Sequence, residues 1–499
     1  MDSDTIKQTT QEGIQASQRW LAENGHHFLM SYAEFLALPN HASDLPNITK
    51  NADWMIDAFS KRGFDMQTWK IPGAPPIVFG ERKVEGATRT LCFYAHYDGQ
   101  PVEPSDWTHP PFEAVLYDEA MEAGGKQIPF PSEGESLLPD WRLYARSSSD
   151  DKAPIMAMLG ALDAMEEADL GFKANIKLFF DGEEESGSPH IGQYLEEHAA
   201  ELEDITLWLL CDGAVYPTDD LLFRFGSRGV TGIQLTVYGP YRSLHSGHYG
   251  NWAPVPGQML ARLLTSMKAE DGTVLIDGFY DSTERLSPFE EAQIDAAPPI
   301  DEQLKAELGL LTTEGEGEVI HRRIVWPSLT VRGLSSGSVG EKVRNVIPST
   351  AIAELGLRLA RGNDPEGMLD LVEAHIRKEG WHIVYAEPNL KTRQAHQKIV
   401  KIKRDPNGFP ASKVSMDQPE IQALIEGLKA FTQGKGVFLP STGASNRIYG
   451  LIFNGLEKPG ICVTMVNRDN NQHAAHENVR IGNLTRGVEM MAVLFTLPD

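Results

Sequence analysis

Three apolar runs in the first half of the chain end on side chains that bind protons or metals. TLCFYA (residues 90–95) runs into His96, ANIKLFF (174–180) into Asp181 and the acidic run Glu183 to Glu185, and ITLWLLC (205–211) into Asp212. Helix-like stretches separate them, KAPIMAMLGALDAMEEA (152–168) and IGQYLEEHAAEL (191–202). That alternation predicts an α/β layer with a largely parallel sheet. In such a sheet the carboxyl ends of neighbouring strands face one crevice, so a histidine and several carboxylates are expected to converge there.

At 499 residues the chain exceeds what one core serves, and a hydrophobic fraction of 41% can supply two or three. The first 60 or so residues carry apolar positions at helical spacing. After RFGSRG (224–229) the rhythm changes to a strand GVTGIQLTVYG, a helix PVPGQMLARLLTSM, strands near LTVRGL and TAIAELGLRLA, a helix PEGMLDLVEAHIRK and a strand HIVYAE. This βαββαβ order predicts a ferredoxin-like unit, interrupted by a polar insertion at about residues 268–325. From residue 388 onward the pattern resembles the first layer again. The expected fold is therefore an α/β catalytic domain formed by residues 1–226 and 388–499, with residues 227–387 as an inserted ferredoxin-like domain.

Seventy acidic against 45 basic residues give a formal charge of -25, and no basic run is dense enough to track phosphates, which excludes nucleic acid and anionic membrane as expected partners. Cys92, Cys211 and Cys462 each lie in an apolar run, at spacings that suit neither a disulfide framework nor a CxxC site. They read as buried thiols of a reducing compartment. The polar start MDSDTIKQTTQEGIQ lacks a signal-peptide pattern, and no run of about 18 apolar residues follows. A soluble, cytoplasmic protein is expected.

RSSSDDKAP (146–154) sets Asp150 and Asp151 directly before an apolar helix. Alone, that pair reads as an N-cap, and a lone His96 before Asp98 reads as a structural histidine. Together with Asp181, Glu184, Glu185 and Asp212 they describe something else. Carboxylates this close raise one another's pKa unless cations neutralise them, and a histidine-plus-carboxylate set favours Zn²⁺ over Mg²⁺ or Ca²⁺.

In order and spacing these segments resemble the M20 zinc peptidases, and within them the carnosinase-like dipeptidases, over nearly the whole chain. HYDGQPVEP resembles the family's HxD segment, SSSDDKAP its DDKG segment, DGEEESGS its EExGS segment and NQHAAHENVRIGN its HxxNE segment, while LLCDGA, SLHSGHYG and NVIPSTAIAELGLRL match the aspartate, histidine and strand regions between. The resemblance implies a two-zinc amide hydrolase, with Mn²⁺ or Co²⁺ as alternatives. Asp150 would bridge the ions, His96 and Asp212 completing one and Glu185 and His473 the other, while Asp98 fixes the ring of His96. Glu184 would be the general base, and Glu183 is read as a solvated charge. His476, three residues after His473 and standing where the family has Asn, is the second candidate for that histidine ligand, with His473 favoured and His476 read as a surface or supporting residue.

His245 of the inserted domain would act across the interface of a homodimer to stabilise the oxyanion, and His248 is given no role. Asn345, Arg358 and Ser445 would touch the substrate, Arg358 clamping a free carboxylate. Ala145, Ser147 and Ala153 replace family glycines, and the loop Ser441 to Gly450 departs from the family's GSIP type. The expected substrate is a dipeptide or similar small molecule. An N-acyl amino acid amidohydrolase in the same fold is the alternative, and a non-catalytic binding homologue the third reading.

Overall fold

The computed structural model describes residues 3–315 and 317–496. Two long helices, Ser3–Leu36 and Leu45–Ser60, open the chain as the spacing predicts, the second capped by Asp44, whose carboxylate accepts from the Asn47 amide. An eight-stranded sheet follows in the order Asp65–Trp69, Ile77–Arg82, Asn175–Asp181, Thr90–His96, Leu207–Leu210, Gly460–Val463, Leu222–Arg224, Val437–Leu439. Its four central strands run parallel, and Thr90–His96 is buried along its whole length. Buried on both faces, these strands need apolar residues without alternation, which is why they read as continuous runs.

Register decides what meets at the strand ends. His96 pairs with Asp181, and Tyr94 with Leu210, so the three runs end side by side with Asp212 two residues past the last pair. The helix Lys152–Glu167 packs between Ser3–Leu36 and Ile481–Thr496. Its first residue, Lys152, is fully buried and donates to the carbonyls of Phe35 and Leu38 at 2.8 and 3.1 Å, at the carboxyl end of the opening helix. Burial pulls that ammonium's pKa well down. A small sheet of Asn478–Arg480, Arg142–Tyr144, Val115–Tyr117 and Gln127–Ile128 brings the end of the chain beside the Asp150 loop.

A second, five-stranded sheet follows the order Ser328–Ser335, Thr350–Leu359, Gly229–Tyr238, Ile399–Arg404, His382–Val384, with helices Pro256–Met267 and Pro365–Lys378 packed on it over a separate core. The expected βαββαβ order is there, with one difference. The strand beside Gly229–Tyr238 is Ile399–Arg404, which displaces the short His382–Val384 to the rim. The strands of this sheet thus reach residue 404, past the 387 boundary drawn from sequence, because KIVKIKR alternates apolar residues with long cationic ones instead of forming a solid apolar run.

The polar insertion folds into helices Pro288–Ala296, Asp301–Leu308 and Ile320–Arg323. Ile294 and Ile300 share a small core with Tyr216, Leu222, Val437 and Leu439, so the insertion covers the edge strand of the eight-stranded sheet. No helix among the described residues is long and apolar enough to cross a membrane.

Candidate metal centre

The strand ends, the Asp150 loop and the loop before Asn478–Arg480 meet in one acidic cluster. Ligand-type atoms of Asp150, Glu185 and His473 lie within 4.8 Å of one another, as do those of His96, Asp151 and Asp212. Asp150 joins the two groups. Its Oδ1 lies 2.9 Å from His96 Nε2, and its Oδ2 lies 3.1 Å from His473 Nε2. One carboxylate thereby faces both histidines with separate oxygens. His473 Nε2 is also 3.4 Å from Glu185 Oε2.

Supporting contacts hold these groups. Asp98 Oδ1 lies 3.3 Å from His96 Nδ1, on the ring edge opposite Asp150. The same carboxylate accepts from the backbone N–H groups of Glu184 and Glu185 at 3.0 and 3.1 Å, tying the HxD strand end to the acidic loop. Glu477 is fully buried. Its oxygens accept from the amides of Ser147, Ser149 and Asp150 and from Ser149 Oγ, at 2.8 to 2.9 Å, and pair with Arg146 at 2.7 Å. Ser147, at a position where the resemblance expects glycine, has φ 63°, a left-handed conformation sustained by its amide bond to Glu477 and by Asn40 Nδ2 donating to its hydroxyl.

The charges explain one another. His96 is buried against its own charge, yet the Asp150 and Asp98 carboxylates hold its pKa well up. His473 is raised to about 9, first by its bond to Asp150. Burial opposes ionisation of Asp150, but His473 and His96 pull it below the usual carboxylate range. Burial first, and then the Asp212, Asp150 and Glu185 charges, push Glu184 up to about 8, and burial with Asp150 pushes Glu185 to about 7. Asp212 and Asp151 are raised as well, by burial first. Asp151 Oδ1 is buried with no hydrogen-bond partner among the described residues. So much negative potential, an orphaned carboxylate oxygen and two histidines form a donor set suited to borderline divalent cations.

Several expectations need correction or sharpening. Asp151, not Asp150, occupies the N-cap of Lys152–Glu167, and its side chain makes no capping bond, so the capping reading fails. Glu183 is not solvated: it is 3% exposed and accepts from the amide and Nδ1 of His190 at 2.8 and 2.9 Å, shaping the turn after the acidic run. His476 points away, its Nε2 bonded to the Thr108 amide at 2.9 Å. His473 alone of the two histidines reaches the cluster.

Arg358 and Ser445 meet, the guanidinium donating to the hydroxyl at 2.6 Å, and the next residue, Asn446, directs its Nδ2 to Glu184 Oε1 at 3.5 Å. Asn446 thus borders the cluster, with Ser445 and Arg358 next in turn. His245 and Asn345 do not border it. They flank an exposed ribbon, Leu244–His245 paired with Val346–Ile347, where the Ser246 amide donates to the Asn345 carbonyl and the His245 ring lies 4.4 Å from that of His248. Among the described residues no hydrogen bond or ion pair joins either to the cluster.

Sequence reasoning gave Glu477 no structural task and missed Gln100 and Gln472, whose amides donate to Glu185 Oε2 at 2.7 Å and to Asp150 Oδ2 at 2.8 Å. Gln472 stands directly before His473, a placement that could have marked it.

The family model described as Peptidase family M20/M25/M40 matches residues 92–496. Among curated relatives, the Cys-Gly metallodipeptidase dug1 of Schizosaccharomyces pombe is 23% identical over 488 residues, covering 93% of this chain and 94% of the relative. The Beta-Ala-His dipeptidase of Homo sapiens is 22% identical over 428 residues, covering 84% and 77%. Among solved structures, an M20 family metallo-carboxypeptidase from Sulfolobus solfataricus superposes with a TM-score of 0.71 at 24% identity, covering 94% of this chain and 98% of that one. The dipeptidase Dug1p from Saccharomyces cerevisiae gives 0.69 at 20%, covering 97% and 98%.

Proposed function

This chain belongs to peptidase family M20/M25/M40 and is a metallopeptidase, and from that premise we propose that it hydrolyses the amide bond of dipeptides or similar small substrates carrying a free carboxylate, at a centre of two divalent ions, Zn²⁺ first. The observation that carries this is the placing of Asp150 between His96 and His473, with Glu184 half-buried beside the same carboxylates. His96 and Asp212, with Asp151 grouped beside them, would hold one ion, and Asp150, Glu185 and His473 the other, Asp150 also facing His96. When bound, such ions supply Lewis acidity toward water and the scissile carbonyl and draw the neighbouring carboxyls into their charged forms.

The chain's own residues do the rest. Glu184 takes a proton from the attacking water and passes it to the nitrogen of the departing amine. Asp98 keeps His96 in one orientation and fixes the backbone on which Glu184 sits. Arg358, steadied by Ser445, binds the substrate carboxylate at the border of the cluster. Asn446 holds an amide against Glu184, where it can orient the base.

We assign oxyanion stabilisation to His245 and Asn345 of a partner subunit in a homodimer. Support comes from the surface of the second sheet. Its edge strand Ser328–Ser335 exposes Val331 and Leu334, and beside His245 lie Tyr249 and Trp252, the latter 80% exposed. The domain reading is kept with its lid strands extended to residue 404. Three unpaired buried cysteines suit a cytoplasmic enzyme.

Assaying dipeptides and N-acyl amino acids on one preparation, with metal analysis of the same sample, tests the function. Turnover of a dipeptide with about two divalent ions per chain is the expected result. Turnover of N-acyl amino acids alone would transfer the assignment to an amidohydrolase, and metal-free protein at full activity would refute it.

A further inference from the structure

Away from the metal centre, a cavity of about 640 Å³ opens between the insertion and the second sheet. Its walls come from the helices Asp301–Leu308 and Ile320–Arg323 and from the start of the strand Ser328–Ser335, with Trp326 between them. The volume falls within the usual range for a small-molecule site.

The charges lining it do not balance. Lys268 pairs with Glu314, Lys305 with Glu302 and Arg323 with Glu318. Two guanidiniums remain outside these pairs, against one further lining carboxylate, Asp301, which accepts from the Ile320 amide. Arg285 lies 4.7 Å over the Trp326 ring, and among the described residues it has no carboxylate partner. Arg228 is only 8% exposed, its Nη2 donating to the Trp326 carbonyl and to Ser328 Oγ, and its Nε has no acceptor among the described residues. Among the described residues no carboxylate pairs with Arg228 either. Burial, with the Arg358 guanidinium nearby, pulls its pKa down to about 10, the mark of a cation short of negative charge. The helix Asp301–Leu308 adds Leu304 and the exposed Leu308 to the lining beside Asp301 and Lys305, and the half-exposed Leu310 follows it.

We propose that this cavity binds a small monocarboxylate with an aromatic or branched apolar body, its carboxylate between Arg228 and Arg285 and its body against Trp326 and the leucines. A guanidinium pair offers paired N–H donors in the plane a carboxylate needs, and no residue of the metal centre contributes to the walls.

Phenylacetate is the probe and phenylacetamide, of the same shape without the charge, its control. Titration of the intact protein, followed by calorimetry and by tryptophan fluorescence, should give saturable phenylacetate binding whose fluorescence change disappears in Trp326→Phe. Phenylacetamide and the Arg285→Ala variant should each bind at least about tenfold more weakly. Leu304→Trp, which takes up part of the apolar side of the cavity, should weaken binding while dipeptide turnover persists. Should that variant fold poorly, the exposed Arg285→Ala carries the test alone. Absence of saturable binding up to about 10 mM overturns the proposal. So does equal affinity for the amide, or binding that competes with a dipeptide substrate and survives Arg285→Ala, since the ligand would then sit in the catalytic cleft.

Discussion

The metal-centre loops and the ribbon carrying His245 and Asn345 are opposites in construction. Around the centre the strand end and loops are gripped by other side chains: Asp98 holds His96 and two loop amides, Glu477 holds three loop amides and Arg146, and Gln100 and Gln472 hold Glu185 and Asp150. On the ribbon, His245 accepts one local amide, from Gly247, and lies exposed among Tyr249, Trp252 and His248. A rigid site spends packing and hydrogen bonds to fix its geometry. A chemically loaded segment left without such support suits an assembly in which a second copy supplies the packing.

That contrast breaks first at the centre. Asp150→Ala, or chelation of the wild-type protein, should remove activity to the detection limit and lower the bound metal measured by atomic emission, because Asp150 faces both histidines. Glu184→Gln should keep the metal and most substrate affinity while kcat falls by about 10² to 10⁴. If this variant lost metal and Glu185→Gln did not, the roles of the two glutamates would be exchanged.

Support residues should have smaller effects. Glu477→Gln, which gives up the Arg146 pair and weakens the hold on the Asp150 loop, should lower metal affinity by about 10 to 100-fold and lower Tm.

The smallest effect is in pH. Glu184 at about 8, Glu185 at about 7 and His473 at about 9 all lie above their ordinary values, so the folded metal-free protein binds more protons than the unfolded chain. Their stabilisation is complete below the ordinary carboxylate range for the two glutamates and below that of histidine for His473. It fades as pH climbs through 7, 8 and then 9. Tm of metal-free protein should therefore fall between about pH 5 and 9, and that of metal-loaded protein should fall less, since cations replace the protons.

Sequence revealed the parts of the site that end strands. His96 and Asp212 follow unbroken apolar runs, and a parallel sheet can only bring such ends together, while Asp181, at the end of the third run, accepts from Ser188 and the Glu183 amide instead of joining the cluster. What it hid were contacts between distant segments. Glu477 acts on backbone amides more than 320 positions earlier in the chain, and amides carry no sequence signal. Glu183 looked solvated because three adjacent glutamates suggest surface, whereas the turn at His190 buries it. The strand Ile399–Arg404 was passed over because its lysines and arginine dilute the apolar pattern, although their tips reach carboxylates such as Glu387, Glu373 and Asp370.

Subunit complementation tests the shared-site account most directly. His245→Ala and Glu184→Gln should each be nearly inactive alone. Mixed in equal amounts under conditions that exchange subunits, they should form about half mixed dimers, each with one site that keeps its own Glu184 and receives the intact His245 of the partner subunit, and so regain roughly a quarter of wild-type activity. Proven exchange with no recovery, or a fully active monomer, would contradict the division between a finished centre and an unfinished ribbon.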